Sequence, residues 1–483
     1  MKKYTVEVTP ITAVHIGTGN EFSPLDYVIK EDKNNKYVYM RFNPERVVSE
    51  LTEEEKTELM KYIEQDDFFE INKMFNEKVT EKNANYISDI THEIFDKYKT
   101  KLKNTENQLL IAEMYRNSSN QKPVIPGSSL KGAIRTAIVN EFAKNKDVIN
   151  DKKKAEKEIM GYYDAKTDPF RNLHITDCEI NGEKVQKIAD FINFKEKRKN
   201  GEDFSKMQMI KEHIIGKMLN GDSKGECEIT INEEMFSISK EIDKWKPFKK
   251  KISLNLIINA CNSFYFNNLE NEYNNFYKHS SHNTLRDNGK KTIEYIKRII
   301  NKDKNECLIR VGQFSQIENV TIEKHKKPWN KKGYGKTRTL TESKFPVGWV
   351  KLKFMSLEEV KEIRKKEDTA RKEKELKLKE EQEKIEREKR EKEEKERIEK
   401  ERLEALTPEE RLKEEIKKEI KSGDSRRISV IVKKCILETK EKEIFVFLRD
   451  QLQKIDEWKP KGGNNKKKKM KKRNEEINNI LGD

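Results

Sequence analysis

Five cysteines in 483 residues (Cys178, Cys227, Cys261, Cys307 and Cys435) are scattered and never form a C-x-x-C pair. That excludes a disulfide framework and a zinc-ligand pattern, and it fits a reducing compartment. No apolar run approaches the length of a bilayer span. The opening Met-Lys-Lys-Tyr-Thr-Val-Glu-Val passes straight into an alternating strand with no apolar leader, so a cytoplasmic protein with no membrane partner is expected. Hydrophobic residues make up only 34% and the mean hydropathy is −1.01, so part of the length has too little apolar surface to be packed. What is abundant is charge: 39% of residues, with 103 Lys and Arg against 87 Asp and Glu, a net +16. Much of this is solvated surface, but the balance favours a polyanionic partner. The length implies more than one domain.

Val124–Ala137 reads V-I-P-G-S-S-L-K-G-A-I-R-T-A. A β-leaning run ends at Gly127, Ser128 and Ser129 stand where helix caps belong, and Leu130, Ile134, Ala137 and Ile138 mark one helical face. A glycine-to-helix junction leaves backbone N–H groups free at the positive end of the helix dipole, which suits a phosphate. Lys131 and Arg135 are four apart, share a face and extend that site along a sugar–phosphate chain. The Gly127–Gly132 spacing is followed by Ala133, so this is not a Walker loop. An ordinary helix start accounts for the serines equally well.

P-G-S-S-L-K-G-A-I-R-T-A, together with T-A-V-H-I-G-T-G-N-E-F-S-P-L-D-Y at Thr12–Tyr27, resembles the RAMP superfamily of CRISPR proteins. Within it, the chain is most similar to the guide-RNA 3′-end capping subunits of type III-A (Csm) effector complexes. G-W-V-K-L-K-F at Gly348–Phe354 resembles that group's closing strand, and the matches span roughly residues 1–355. The resemblance implies two ferredoxin-like, RRM-type modules with helical insertions, where pattern alone supports only α+β. It also implies guide RNA as ligand, with RNA contacts at His15, Gly17, Gly19, Gly127, Ser128, Ser129, Lys131, Arg135 and Arg310. Gln313, Ser315 and Gln316 stand where the group carries glycines. Implied partners are an adjacent backbone subunit, a small helical subunit, target RNA indirectly, and cellular nucleases that trim the guide. No His-Asp dipeptide or Gly-Gly-Asp-Asp pair is present, and no cofactor is expected.

His15 is the one catalytic candidate. Related endoribonucleases use a histidine from this neighbourhood as base on a 2′-hydroxyl. The local sequence supplies no companion, so a structural or RNA-contacting role is favoured. His279 and His282 have a metal-compatible spacing but lack further ligands, and an exposed loop is the simpler account. Trp329 and Tyr334 could stack on bases while Lys336 and Arg338 hold phosphates.

The expected divisions are 1–143, a first module with a largely helical insertion at 66–121, and 144–355, a second module. The latter opens with a polar connector at 144–172 and includes a strand at Lys251–Ile258. Residues 356–405 alternate acid and base without a sustained apolar seam, and read as a solvent-exposed helix roughly 75 Å long. Thr407-Pro408-Glu409-Glu410 opens a small bundle over 406–458, using Leu412, Ile416, Ile420, Ile428, Val430–Val432, Ile436 and Phe445–Leu448. Residues 459–483 read as a flexible basic arm. The favoured function is an RNA-binding, non-enzymatic capping subunit. The alternatives are a metal-independent endoribonuclease processing precursor guide RNA, and a scaffold recruiting factors through 356–483.

Overall fold

Strand Lys2–Pro10 lies inside a seven-stranded antiparallel sheet, between Lys224–Ile231 and Trp349–Met355. Its alternating Val6 and Val8 are fully buried, as period-two patterning requires. The sheet order is Glu306–Arg310, Trp349–Met355, Lys2–Pro10, Lys224–Ile231, Cys178–Asn181 and Val124–Ile125, with Leu173–Ile175 also on Lys224–Ile231. Helices Gly127–Ala143 and Leu254–Glu272 contribute to the same core, with Tyr265 Oη donating to the Ala133 carbonyl at 3.0 Å. Leu130, Ile134, Ala137 and Ile138 are all buried, so the apolar face read from sequence is the one that packs.

The structure, a computed structural model, describes all residues except 32–35, 103–108, 148–151, 199–200, 233–250, 324–336, 343, 422–423, 440, 456–457, 459–464 and 483. It divides into two compact units, Met1–Arg364 and Lys365–Asp483.

The second, nine-stranded sheet of the first unit runs Gly17–Phe22, Ile111–Met114, Gly201–Ile214, Gln186–Arg198, Ala84–Ile90, Tyr37–Phe42 and Tyr27–Glu31. Thr337–Thr341 joins Gln186–Arg198, and Phe345–Pro346 joins Thr337–Thr341. The chain passes between the sheets twice at one place. Val14 N donates to Ile214 O at 3.1 Å and Ile214 N to Val14 O at 2.8 Å, while a Cβ on Gly216 would lie 2.5 Å from Ile11 backbone atoms.

The fold is α+β with two curled sheets, as ferredoxin-like modules require. The division at residue 143 does not coincide with a break between sheets, because strands from both sides of it interleave in each. Lys251–Ile258, read as a strand, instead starts the helix Leu254–Glu272, capped by Ser253 accepting from Leu256 N at 3.3 Å. The connector at 144–172 contains helix Lys152–Met160, which buries Ala155, Ile159 and Met160. The insertion at 66–121 supplies strands Ala84–Ile90 and Ile111–Met114 as well as helices Phe68–Lys78 and His92–Lys101.

Helix Leu357–Ala405 carries i,i+3 and i,i+4 ion pairs such as Arg390–Glu386 at 2.6 Å and Arg397–Glu394 at 2.8 Å. In the second unit, helices Pro408–Lys421, Ser425–Glu438 and Lys442–Lys454 share a core of Leu412, Ile416, Ile420, Ile428, Val432, Phe445 and Leu448. The capping box forms: Thr407 Oγ1 accepts from Glu410 N at 3.3 Å, and Glu410 Oε2 accepts from Thr407 N at 2.9 Å. Val430 is not in this core but 67% exposed, on the outer face of its helix. The basic arm is also corrected. Asn465–Leu481 is a helix whose Ile477 enters the same core, and Asn474 Nδ2 donates to Trp458 O at 2.7 Å.

Candidate nucleic-acid interface

His15 sits where the chain leaves the first sheet for the second, and it lines a cleft of about 800 Å³. One wall is His15–Glu21. The second is the face Ser129, Gly132, Ala133 and Thr136 of helix Gly127–Ala143, and the third is the segment from Arg310 to Val320. Ala112, Glu113 and Lys211 form the floor. Of the residues singled out in the sequence, His15, Gly17, Gly19, Ser129 and Arg310 therefore converge on one cavity.

The imidazole is locked. Nδ1 of His15 donates to the Glu212 carbonyl at 2.7 Å, so Nε2 is left as the acceptor nitrogen, buried and without a partner. Burial, helped by the nearby Lys211 and His213, lowers its pKa to about 4 although the backbone hydrogen bond works the other way, so the ring is neutral at pH 7. A Cβ on Gly17 would stand 2.9 Å from Nε2, so glycine is what lets the turn close over the ring. Gly312, at φ +95°, permits the opposite loop to approach, with Gln313 N donating to His15 O at 3.1 Å.

The helix N-terminus differs from its sequence reading. Pro126, not Ser128 or Ser129, is the cap residue, and the Gly127 N–H donates to Asp177 Oδ1 at 2.8 Å. A carboxylate of the protein thus occupies the first free donor. Gly127 is required because a Cβ would meet Ile175 O at 2.2 Å. Lys131 and Arg135 do share a face, but it is the one turned to residues 156–170. Arg135 pairs with Glu156 and with Asp168 at 2.6 Å, donates to Tyr162 Oη at 2.8 Å and lies over the Phe170 ring. Arg135 is thereby withdrawn from phosphate contact. Lys131 is half-buried, its pKa lowered by that burial despite Asp168. Neither these two nor Gly127 and Ser128 line the cleft.

Arg310 and Arg338 are also internal. Arg310 pairs with the buried Glu272, Arg338 reaches the same carboxylate at 3.2 Å and Glu318 at 3.3 Å, and Tyr277 Oη donates to Glu272 at 2.7 Å. Burial opposes ionisation of Glu272, yet the two guanidinium groups hold its pKa below the ordinary value. Arg310 still contributes to the cleft wall, with Nη2 buried and without a hydrogen-bond acceptor. Trp329, Tyr334 and Lys336 lie outside the described residues. His282 is not a free loop residue: it precedes helix Asn283–Ile299 and packs edge-on against Phe204, ring centroids 4.7 Å apart. Among the described residues no cluster of three His, Cys, Asp or Glu side chains is placed to hold a metal, and no helix is long and apolar enough to cross a membrane.

Lys211, on the cleft floor, is a basic residue that the sequence does not single out. It belongs to strand Gly201–Ile214, whose hairpin with Gln186–Arg198 pairs Arg198 with Gly201. The Asn200-Gly201 dipeptide between two alternating runs was the available signal.

A protein of Methanocaldococcus jannaschii described as CRISPR system Cms protein Csm5 is 28% identical over 265 residues, 53% of this chain and 59% of that one. The alignment thus spans under two thirds of the relative's length. A chain from the cryo-EM structure of a Csm–crRNA–target RNA ternary complex of a type III-A CRISPR-Cas system has TM-score 0.51 and 19% identity. It covers 72% of this chain and 100% of that one, and shows likeness of fold. The crystal structure of T. onnurineus Csm5 gives TM-score 0.46 at 17% identity, over 71% and 99% of the two chains. The family model of the RAMP superfamily matches residues 7–440. This chain belongs to the RAMP superfamily.

Proposed function

We propose that this chain is a subunit of a type III-A CRISPR effector complex that holds the spacer-derived 3′ part of the guide RNA and terminates the backbone filament. The observation that carries the reading is the cleft. Three sequence-distant segments meet there and present hydroxyls, amides and glycine backbone: Thr18, Asn20, Ser129, Thr136 and Gln313 beside Gly17, Gly19, Gly132 and Gly312. Such groups grip a sugar–phosphate chain without reading bases, which is what a guide of variable sequence needs. The net +16 aids encounter with RNA. Contacts with an adjacent backbone subunit and a small helical subunit, and recruitment of cellular nucleases for 3′ trimming, belong to the same reading.

The test is to express the chain with its operon neighbours and sequence the RNA that co-purifies, comparing wild type with Ser129→Glu/Thr136→Glu, which aims two carboxylates into the cleft. Guides with heterogeneous 3′ ends in the wild type, and loss of the variant subunit from the particle, are expected. A variant that stays in place on normal guides overturns the reading. The endoribonuclease alternative asks His15 to take a proton from bound RNA. Its Nε2 is buried beside Gly17, which disfavours that transfer.

A further inference from the structure

Lys211 is only 7% exposed, yet it has no hydrogen-bond or ion-pair partner among the described residues. The stem is buried while the ammonium reaches the cleft with no carboxylate paired to it, which leaves a cation available to an anionic ligand. The surroundings are built to hold it. On strand Gly201–Ile214 its register partners are Ala112 on one side and Ala189 on the other, so two of the smallest side chains flank the lysine stem and leave a slot. Its Nζ lies 5.5 Å from the centroid of the Phe314 ring.

No nearby acid among the described residues forms an ion pair with Lys211. Glu113 Oε2 accepts from Thr18 Oγ1 at 2.7 Å and from Asn20 Nδ2 at 3.1 Å. Glu212, next in sequence, points to the opposite face of the strand, where it binds Arg116 at 3.1 Å and the Tyr86 hydroxyl at 2.6 Å. Glu21, the exposed register partner of Ala112, lies on the same sheet face and the same cleft, and acts on Lys211 through space without forming an ion pair. The ammonium opens on the cleft floor, and in the cleft wall Arg310 Nη2 is a buried donor without an acceptor.

The geometry points to Lys211 as the residue that grips one phosphodiester of single-stranded RNA in the cleft, ahead of the basic residues of the helix Gly127–Ala143. This assignment rests on the RNA-holding reading above and names the group that would do the holding. An anionic phosphate supplies the missing counter-charge, while the flanking hydroxyls and glycines accommodate the sugar chain. A neutral or cationic ligand would leave the lysine uncompensated.

The test is fluorescence anisotropy of a labelled single-stranded RNA with the full chain, over a range of salt. Lys211→Met keeps the stem and removes the charge, whereas Lys61→Met removes one charge from an exposed helix elsewhere. Lys211→Met is expected to weaken binding about tenfold. It should flatten the slope of log K against log salt by about 0.7, the value for one phosphate contact on a single strand. Lys61→Met should change neither by a comparable amount. Ala112→Glu, which sets a carboxylate on the register partner of Lys211, should reproduce the loss with the lysine still present. Wild-type affinity and slope in both cleft variants would overturn the assignment and leave the RNA reading standing. Failure of the wild-type chain to bind RNA would overturn both.

Discussion

Nδ1 of His15 donates to the main-chain carbonyl of Glu212 at 2.7 Å, which ties the crossover between the sheets to the strand that carries Lys211. The side chain of Glu212 meanwhile accepts from Met114 N at 2.8 Å and pairs with Arg116 on the other face. One residue thus orients the cleft histidine with its backbone and anchors the neighbouring strand with its carboxylate.

Burial of the His15 imidazole makes stability pH-dependent. Folded His15 titrates near 4, against an ordinary 6.5 that the unfolded chain recovers. Between these values unfolding takes up a proton, so stability falls as pH drops through the interval, by about 3 kcal/mol in full. The urea midpoint of wild type should fall between pH 7.5 and pH 4.5 by more than that of His15→Asn, which lacks this component. Equal pH sensitivity in the two would place the folded imidazole near its ordinary value.

Arg135 should behave as a structural residue. Its guanidinium joins Glu156, Asp168 and Tyr162, so Arg135→Met strands two carboxylates and costs about 2 kcal/mol, read as a lower melting temperature. The salt slope of RNA binding should not change. A flattened slope without loss of stability would return Arg135 to the phosphate-contact role that its spacing from Lys131 implied.

Gly127→Ala should be worse than its size suggests. The added carbon would stand 2.2 Å from Ile175 O, which backbone must move to relieve, so a loss above about 3 kcal/mol is expected by thermal denaturation. Asp177→Ala, which removes the acceptor for the Gly127 N–H, should cost about 1 kcal/mol. A tolerated Gly127→Ala would mean that the helix start can slide away from the strand end.

Removing Glu272 should be severe, because Arg310 and Arg338 both pair with it in a fully buried site. Glu272→Ala leaves the Arg310 guanidinium uncompensated and Arg338 with Glu318 alone, and a loss of about 3–5 kcal/mol is expected from chemical denaturation. Glu272→Gln, which keeps hydrogen-bonding capacity, should recover part of it.

The legible parts of this chain were those with local causes. Val6 and Val8 alternate, Leu130, Ile134 and Ala137 recur at helical spacing, and Thr407 with Glu410 forms the capping box their spacing requires. The His15 and Gly127 motifs also fall beside one cavity. What stayed hidden depends on partners far along the chain. The Gly127 N–H looked free until Asp177, fifty residues on, was found to take it. Arg135 and Arg310 carry internal ion pairs that no sequence pattern shows, because Glu156, Asp168 and Glu272 fold back onto them from far along the chain. Lys211 looked like one lysine among many, since only the strand register reveals its two alanine neighbours.

The charged extension offers the sharpest separation of the remaining functions. The core that contains Val6, Ile134 and Trp349 lies within Met1–Arg364, and the core of Leu412, Ile416 and Phe445 lies within Lys365–Asp483, so each unit has its own buried cluster. A chain ending at Arg364 should therefore fold, unfold cooperatively and retain the cleft. If the cleft holds the guide, this truncated chain binds single-stranded RNA with the same sensitivity to Lys211→Met as the full chain. The helix Asn465–Leu481, with Lys466–Lys469 in its sequence, would add only a sequence-independent increment, seen as a steeper salt slope in the full chain. If RNA binding is lost on truncation while residues 1–364 still melt cooperatively, the recruiting function belongs to the extension. The scaffold reading then replaces the cleft as the account of this protein.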